Sequence, residues 1–246
     1  MNKLYKKNEL TFAIICIVAY VVIFSTADNI SGAIGTAKLV TAPVCIAAAA
    51  VLLIWTKKNG LWKKYGLCKP TASPARLLFF IPLIAISSVN LWNGVTLNYS
   101  PVESALYAVS MICVGFIEEL IFRGLLFKAL CRNGVKRAII ISGLTFGIGH
   151  IVNLLRGAEV FNTLLQMLFA VAVGVLFAVI FYKSGSIIPC VLSHAALNVT
   201  SAFAIERSDM TLIVVSAVLA VVSVAYSAVI LKLNPKKEEN AELSRN

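Results

Sequence analysis

Gly115-Phe116-Ile117-Glu118-Glu119-Leu120-Ile121-Phe122-Arg123 sits inside an uninterrupted apolar run, residues 105–127. That run is long enough to cross a bilayer, so the two glutamates and the arginine are read as ionisable groups at membrane depth. Each costs roughly 2.5 to 3.5 kcal/mol or more at the centre of a bilayer helix, and a chain that keeps three together has a use for them.

Composition supports membrane depth: 59% of the residues are hydrophobic and 13% charged, with a mean hydropathy of +0.89, whereas a soluble domain carries about 25% charged residues. Eight apolar segments follow one another along the 246 residues, at 11–27, 39–56, 77–92, 105–127, 138–155, 163–182, 187–205 and 211–231. Most approach the roughly 17 to 25 residues that cross a ~30 Å hydrocarbon core. The third, which contains Pro82, and the seventh, which contains Pro189 and His194, are the weakest. The first follows Lys3, Lys6 and Lys7 and has Ser25-Thr26-Ala27 at its end, as a secretory signal would. Its apolar run is longer than the ~7 to 15 residues of a signal core, and we read it as an uncleaved span. The expectation is an all-α, polytopic integral membrane protein of about eight transmembrane helices with both termini cytoplasmic. It forms a single domain over 1–246, with a motif-bearing core at about 104–205 and a polar cytoplasmic tail at 234–246.

The net charge of +11 is distributed by topology. With the N-terminus inside, eighteen of the 22 lysines and arginines fall on the cytoplasmic side; Lys38, Arg156 and Arg207 fall outside and Arg123 lies within a span. The positive-inside rule predicts this asymmetry, so the basic clusters need no nucleic acid to explain them. Cys16, Cys45, Cys68, Cys113, Cys131 and Cys190 are scattered without a C-x-x-C pair, and read as small buried hydrophobes rather than a disulfide or metal framework.

Both histidines of the chain fall in apolar segments, His150 in Phe146-Gly147-Ile148-Gly149-His150 and His194 in His194-Ala195-Ala196-Leu197-Asn198. Positions i and i+4 share a helix face, so Glu119 can pair with Arg123, and His194 and Asn198 project together. Glu118 has Phe122 at its own i+4 position and is left available for chemistry. Counting ~1.5 Å per residue from the expected cytoplasmic ends places Glu118, His150 and His194 at depths of ~14, ~18 and ~10 Å. They can converge in the cytoplasmic half of the membrane, and substrates would enter from lipid or from the cytoplasmic face. Gly143 and Gly147 offer a small-residue face for helix contact, with Gly149 as a second point of close approach.

A carboxylate, two imidazoles and an amide offer two routes to hydrolysis of an acyl bond. In one, Glu118 assisted by His150 is a general base for water, and His194 and Asn198 donate to the oxyanion. In the other, Glu118, His150 and His194 hold a divalent metal such as zinc, whose bound water is the nucleophile. No H-E-x-x-H helix occurs, so a metal would have to be assembled from separate helices.

Glu118-Glu119-x-x-x-Arg123, Phe146-x-x-x-His150 and His194-x-x-x-Asn198, in that order on successive segments, resemble the three motifs of the CPBP family of CAAX proteases and bacteriocin-processing enzymes, also called the Abi family, which includes the Rce1-type prenyl-protein endopeptidases. The resemblance is specific over about 115–200. It implies an intramembrane endopeptidase in a helical fold of about eight spans, with Glu118 and His150 activating water, His194 and Asn198 stabilising the oxyanion, and Glu119 and Arg123 in support. The family is often described as metalloproteases, although the glutamate mechanism requires no cofactor. The implied partners are the lipid bilayer and a membrane-associated peptide or protein, with or without a lipid anchor, in a bacterial plasma membrane. Two other classes are compatible with the residues: a proton-coupled transporter using the same groups as a relay, and a membrane immunity or scaffold protein whose site is not used for processing.

Overall fold

In a bilayer the backbone has no water to bond to, so long apolar runs satisfy themselves as helices. The computed structural model describes residues 1–71 and 80–233, with only the backbone at 156, and these residues are almost wholly helical. Among them there is no strand, only an isolated antiparallel bridge between Val95 and Ala204. Among the described residues six helices are long and apolar enough to cross a membrane: Glu9–Ile34, Thr41–Lys58, Pro101–Asn133, Val135–Leu155, Val160–Ser184 and Asp209–Lys232. Two shorter apolar helices, Ile81–Leu91 and Ile188–Phe203, occupy the places of the third and seventh predicted segments. The chain is a multi-pass membrane protein.

In chain order the α-helices are α1 (Asn2–Lys7), α2 (Glu9–Ile34), α3 (Thr41–Lys58), α4 (Ile81–Ser88), α5 (Pro101–Glu119), α6 (Lys128–Leu130), α7 (Val135–Gly149), α8 (Val160–Ser184), α9 (Ile188–Thr200) and α10 (Asp209–Leu233). Positions 77–79 of the predicted third segment lie outside the described residues, as do Arg76 and the predicted tail 234–246 with Lys236, Lys237 and Arg245. The predicted fourth segment, 105–127, is shorter than the observed helix, because local capping extends it. Ser100 and Glu103 form a reciprocal capping box, and Pro101 opens the first turn where its missing N–H does no harm.

Contacts at the two ends of the bundle define two poles. At one, Glu9 at the start of α2 meets Lys64 at 2.7 Å and Arg132 at 3.2 Å, and the Trp55 indole at the end of α3 donates to Asn2. The α8–α9 turn joins this basic pole, where the Ile187 N–H donates to the Gly66 carbonyl. At the other, Lys38 meets Asp28 at 2.8 Å, Glu103 accepts from the Ala37 N–H, and Tyr107 meets Ser201 at 3.0 Å. Successive spans therefore alternate in direction, and the short α4 and α9 run parallel to each other, with Ser87 against Ser193 and Asn90 against Leu197.

Close packing positions the site between α5, α7, α8 and α9. A Cβ on Gly115 would lie 2.8 Å from the Ala195 nitrogen, so α5 and α9 touch backbone to backbone beside Glu118 and His194. Gly143 and Gly147 seat Val175 and Val171 of α8 in the same way, while Gly149 has nothing within 4 Å. The expected close approach at Gly149 is absent because this residue lies where α7 gives way to a 3-10 turn, His150–Arg156.

Candidate active site

The α5 helix carries Glu118 and Glu119 in its last turn and then passes into a π-helical stretch, Leu120–Phe127, which contains Arg123. All eight residues of this stretch are buried. Wide turns of this kind are uncommon and occur often at functional sites.

Arg123 and Glu119 are both fully buried, and Arg123 Nη1 donates to Glu119 Oε1 at 3.0 Å. This is the predicted i, i+4 pair. The guanidinium lies 4.3 Å from the ring centre of Phe146 and 5.4 Å from that of Phe177, so aromatic faces replace the water it has lost. Gly174 makes room for it: a Cβ there would stand 3.2 Å from Arg123 Nη2 and 3.1 Å from Phe146. Arg123 Nε and Nη2 and Glu119 Oε2 are left without a hydrogen-bond partner among the described residues. Such orphaned buried atoms are costly.

His194, 5% exposed, departs from the predicted arrangement. Its Nδ1 lies 2.8 Å from Glu119 Oε1, and its Nε2 lies 3.4 Å from Glu118 Oε2. The imidazole thus bridges the two adjacent carboxylates. Each ring nitrogen of His194 therefore faces one carboxylate oxygen, and the tautomer sets which of the two contacts the imidazole donates to. Glu119 therefore holds a second partner besides Arg123, which i, i+4 spacing could not reveal because His194 arrives from another helix.

Glu118 is 8% exposed and lines a cavity of about 430 Å³ together with His150, His194 and Asn198. All four predicted catalytic residues meet there. His150 and Asn198 face the cavity without joining the hydrogen-bonded cluster, and among the described residues no hydrogen bond links His150 to Glu118. The second partner of Glu118 is Tyr20 of α2, whose hydroxyl donates to Glu118 Oε1. Sequence reasoning missed Tyr20. The available signal was a phenolic hydroxyl in the middle of an otherwise aliphatic span. Phe146 stacks edge-on against both His150 and His194 and fixes the two rings relative to each other.

The residues fit a metal poorly in this arrangement. Among the described residues no three His, Cys, Asp or Glu side chains are grouped to hold an ion, and both nitrogens of His194 already face carboxylates.

A polytopic helical bundle with a buried Glu/His cluster opening on a cavity defines the class, an integral membrane protein. Residues 101–200 match the family described as Rce1-like, "Type II CAAX prenyl endopeptidase Rce1-like", consistent with the CPBP resemblance. No curated protein and no solved structure matches the chain. Glu118, Glu119, Arg123, His150, His194 and Asn198 all lie inside the matched stretch; Tyr20 lies outside it.

Proposed function

We propose that the protein is an intramembrane endopeptidase that hydrolyses a peptide bond of a membrane-associated protein or peptide, in CAAX-type or bacteriocin-type processing. The observation that carries this reading is the position of Glu118, a nearly buried carboxylate that accepts a hydrogen bond from Tyr20, has His194 Nε2 3.4 Å away and faces a cavity lined by His150 and Asn198.

Glu118 takes a proton from a cavity water, whose oxygen attacks the carbonyl carbon of the scissile amide. The carbonyl π electrons move to oxygen, and donors on the cavity wall receive the oxyanion. With His194 tied to Glu119 and Glu118, those donors are the Asn198 amide and the His150 imidazole, so the oxyanion role that the resemblance gives to His194 passes to His150. His194 becomes a positioning residue, anchored on Glu119 with its Nε2 3.4 Å from Glu118 Oε2. Collapse of the tetrahedral intermediate breaks the C–N bond. The proton gained by Glu118 goes to the departing amine, and the other product leaves as a carboxylic acid that then gives its proton to water. Glu119 and Arg123 fix His194, and no metal is required at any step. Eight crossings, counting α4 and α9, with both ends on the cytoplasmic side of a bacterial plasma membrane, complete the reading.

The test is a comparison of peptide termini by mass spectrometry, in membranes and medium, from cells carrying the parent or Glu118→Gln. New termini that vanish in the variant, at equal amounts of inserted protein, support the proposal. Identical termini in both refute it, as would proton-driven uptake of a solute without any cut peptide.

A further inference from the structure

The cavity does not face the pole that the depth count suggested. Beneath Glu118, toward the basic pole, the protein is solid: Leu120, Phe127, Tyr65, Phe181 and Ile187 are each at most 1% exposed. The segment after α3 straps this floor from outside. The Ile187 N–H donates to Gly66 at 2.9 Å, the Thr71 N–H to Ser184 at 3.0 Å, and Ser186 Oγ to Cys68 at 2.5 Å. Tyr65 sits directly over Gly124, whose absent side chain leaves it 3.3 Å of room.

From Glu118 the cavity runs the other way. Its walls reach Tyr107, eleven residues earlier on α5 and ~16 Å along the helix axis, and its far lining includes Asp28, Lys38, Asn153, Gln166 and Ser201. Asp28, Lys38 and Ser201 take part in the contacts that define the pole opposite the basic loops, and Asn153 donates to Gln166 beside them. Gln166 and Ser201 are exposed. Asp28 and Lys38 at this mouth point to water, because charged side chains are costly in hydrocarbon even when they pair. The basic clusters mark the other pole as cytoplasmic.

We infer that the site is served from the extracytoplasmic face, and that its substrate is a segment exposed there: an exported peptide, or the outer juxtamembrane stretch of a membrane protein. This rests on the endopeptidase reading for the word substrate, but the direction of the cavity does not. An extended chain advances ~3.3 Å per residue, so about five residues span the distance from the mouth to Glu118. The peptide therefore reaches Glu118 as an unwound strand inserted between α2, α5 and α9.

Thiol labelling tests the direction independently of catalysis. In the full-length chain with its six cysteines replaced, Met111→Cys lies on the cavity wall about 10 Å from Glu118, Ser201→Cys at the mouth, and Lys63→Cys at the basic pole. A charged, membrane-impermeant thiosulfonate added to intact cells is expected to modify Met111→Cys and Ser201→Cys, and to reach Lys63→Cys only after permeabilisation. Because such reagents need a hydrated thiolate, reaction at Met111→Cys reports an aqueous path. Modification of Ser201→Cys only after permeabilisation overturns the inference. Modification of Ser201→Cys but never of Met111→Cys does so too, since the path would then be closed or lined by lipid. Should Glu118→Gln leave every peptide terminus unchanged while the labelling pattern holds, the endopeptidase reading fails and the outward cavity stands.

Discussion

Neutralising Glu119 should cost the protein its stability, and restoring the stability should not restore the activity. Glu119 and Arg123 are both fully buried and 3.0 Å apart, and the guanidinium has no other hydrogen-bond acceptor at Nε or Nη2 among the described residues. Glu119→Gln therefore leaves an arginine charge in the membrane interior with aromatic rings as its only compensation. Removing one member of a buried pair costs roughly 3–5 kcal/mol, about a fifth or more of the ~5–15 kcal/mol that holds a typical domain folded. Removing both members by Glu119→Gln with Arg123→Met eliminates the stranded charge, and most of the loss should return. His194 would still lack the carboxylate that fixes its Nδ1, so the double variant should be folded and nearly inactive. Unfolding of the purified protein in mixed micelles, followed by helicity or thermal scattering, supplies the stability arm; cleavage of a substrate identified from the peptide termini supplies the other. A single variant as stable as the parent, or a double variant with parental activity, would refute the argument that Glu119 is the shared anchor of Arg123 and His194.

Tyr20→Phe removes a hydrogen bond to a charged group, worth about 1.5–3 kcal/mol, from the base itself. Turnover is expected to fall by roughly tenfold to a hundredfold with no change in membrane level, measured by quantitative cleavage against immunoblot. Gly115→Ala puts a methyl group 2.8 Å from the Ala195 backbone nitrogen; α5 and α9 must part, and an inserted but weakly active protein should result, whereas Gly149→Ala, which meets nothing, should behave as the parent. Prolonged treatment with a chelator should leave most of the activity of the purified enzyme, and complete loss that zinc restores would replace the metal-free mechanism with the metal-bound alternative.

Helices were legible in the chain because a bilayer admits little else: run length and the absence of charge suffice to place them, and the errors fall at ends such as Pro101–Asn133, where a capping box and a π-helical continuation outrun the hydrophobic pattern. The pairing of Glu119 with Arg123 was legible for a similar reason, since both sit on one helix and i, i+4 geometry is local. The convergence of Glu118, His150, His194 and Asn198 could be anticipated only as a possibility of three polar faces; their meeting around one cavity is an observation about packing.

What the sequence determined by itself is whatever depends on one segment at a time: the membrane habit, the basic pole, the cost of the three buried charges, and the residue types capable of activating water. Tertiary structure alone decided the rest. It turned His194 between two carboxylates, brought Tyr20 from a distant span onto Glu118, used Gly115 rather than Gly149 to close the helices, and opened the cavity away from the basic loops. These relations join side chains that lie tens of residues apart in the chain. Periodicity within a helix reports which way a side chain points but not which neighbour it will find there.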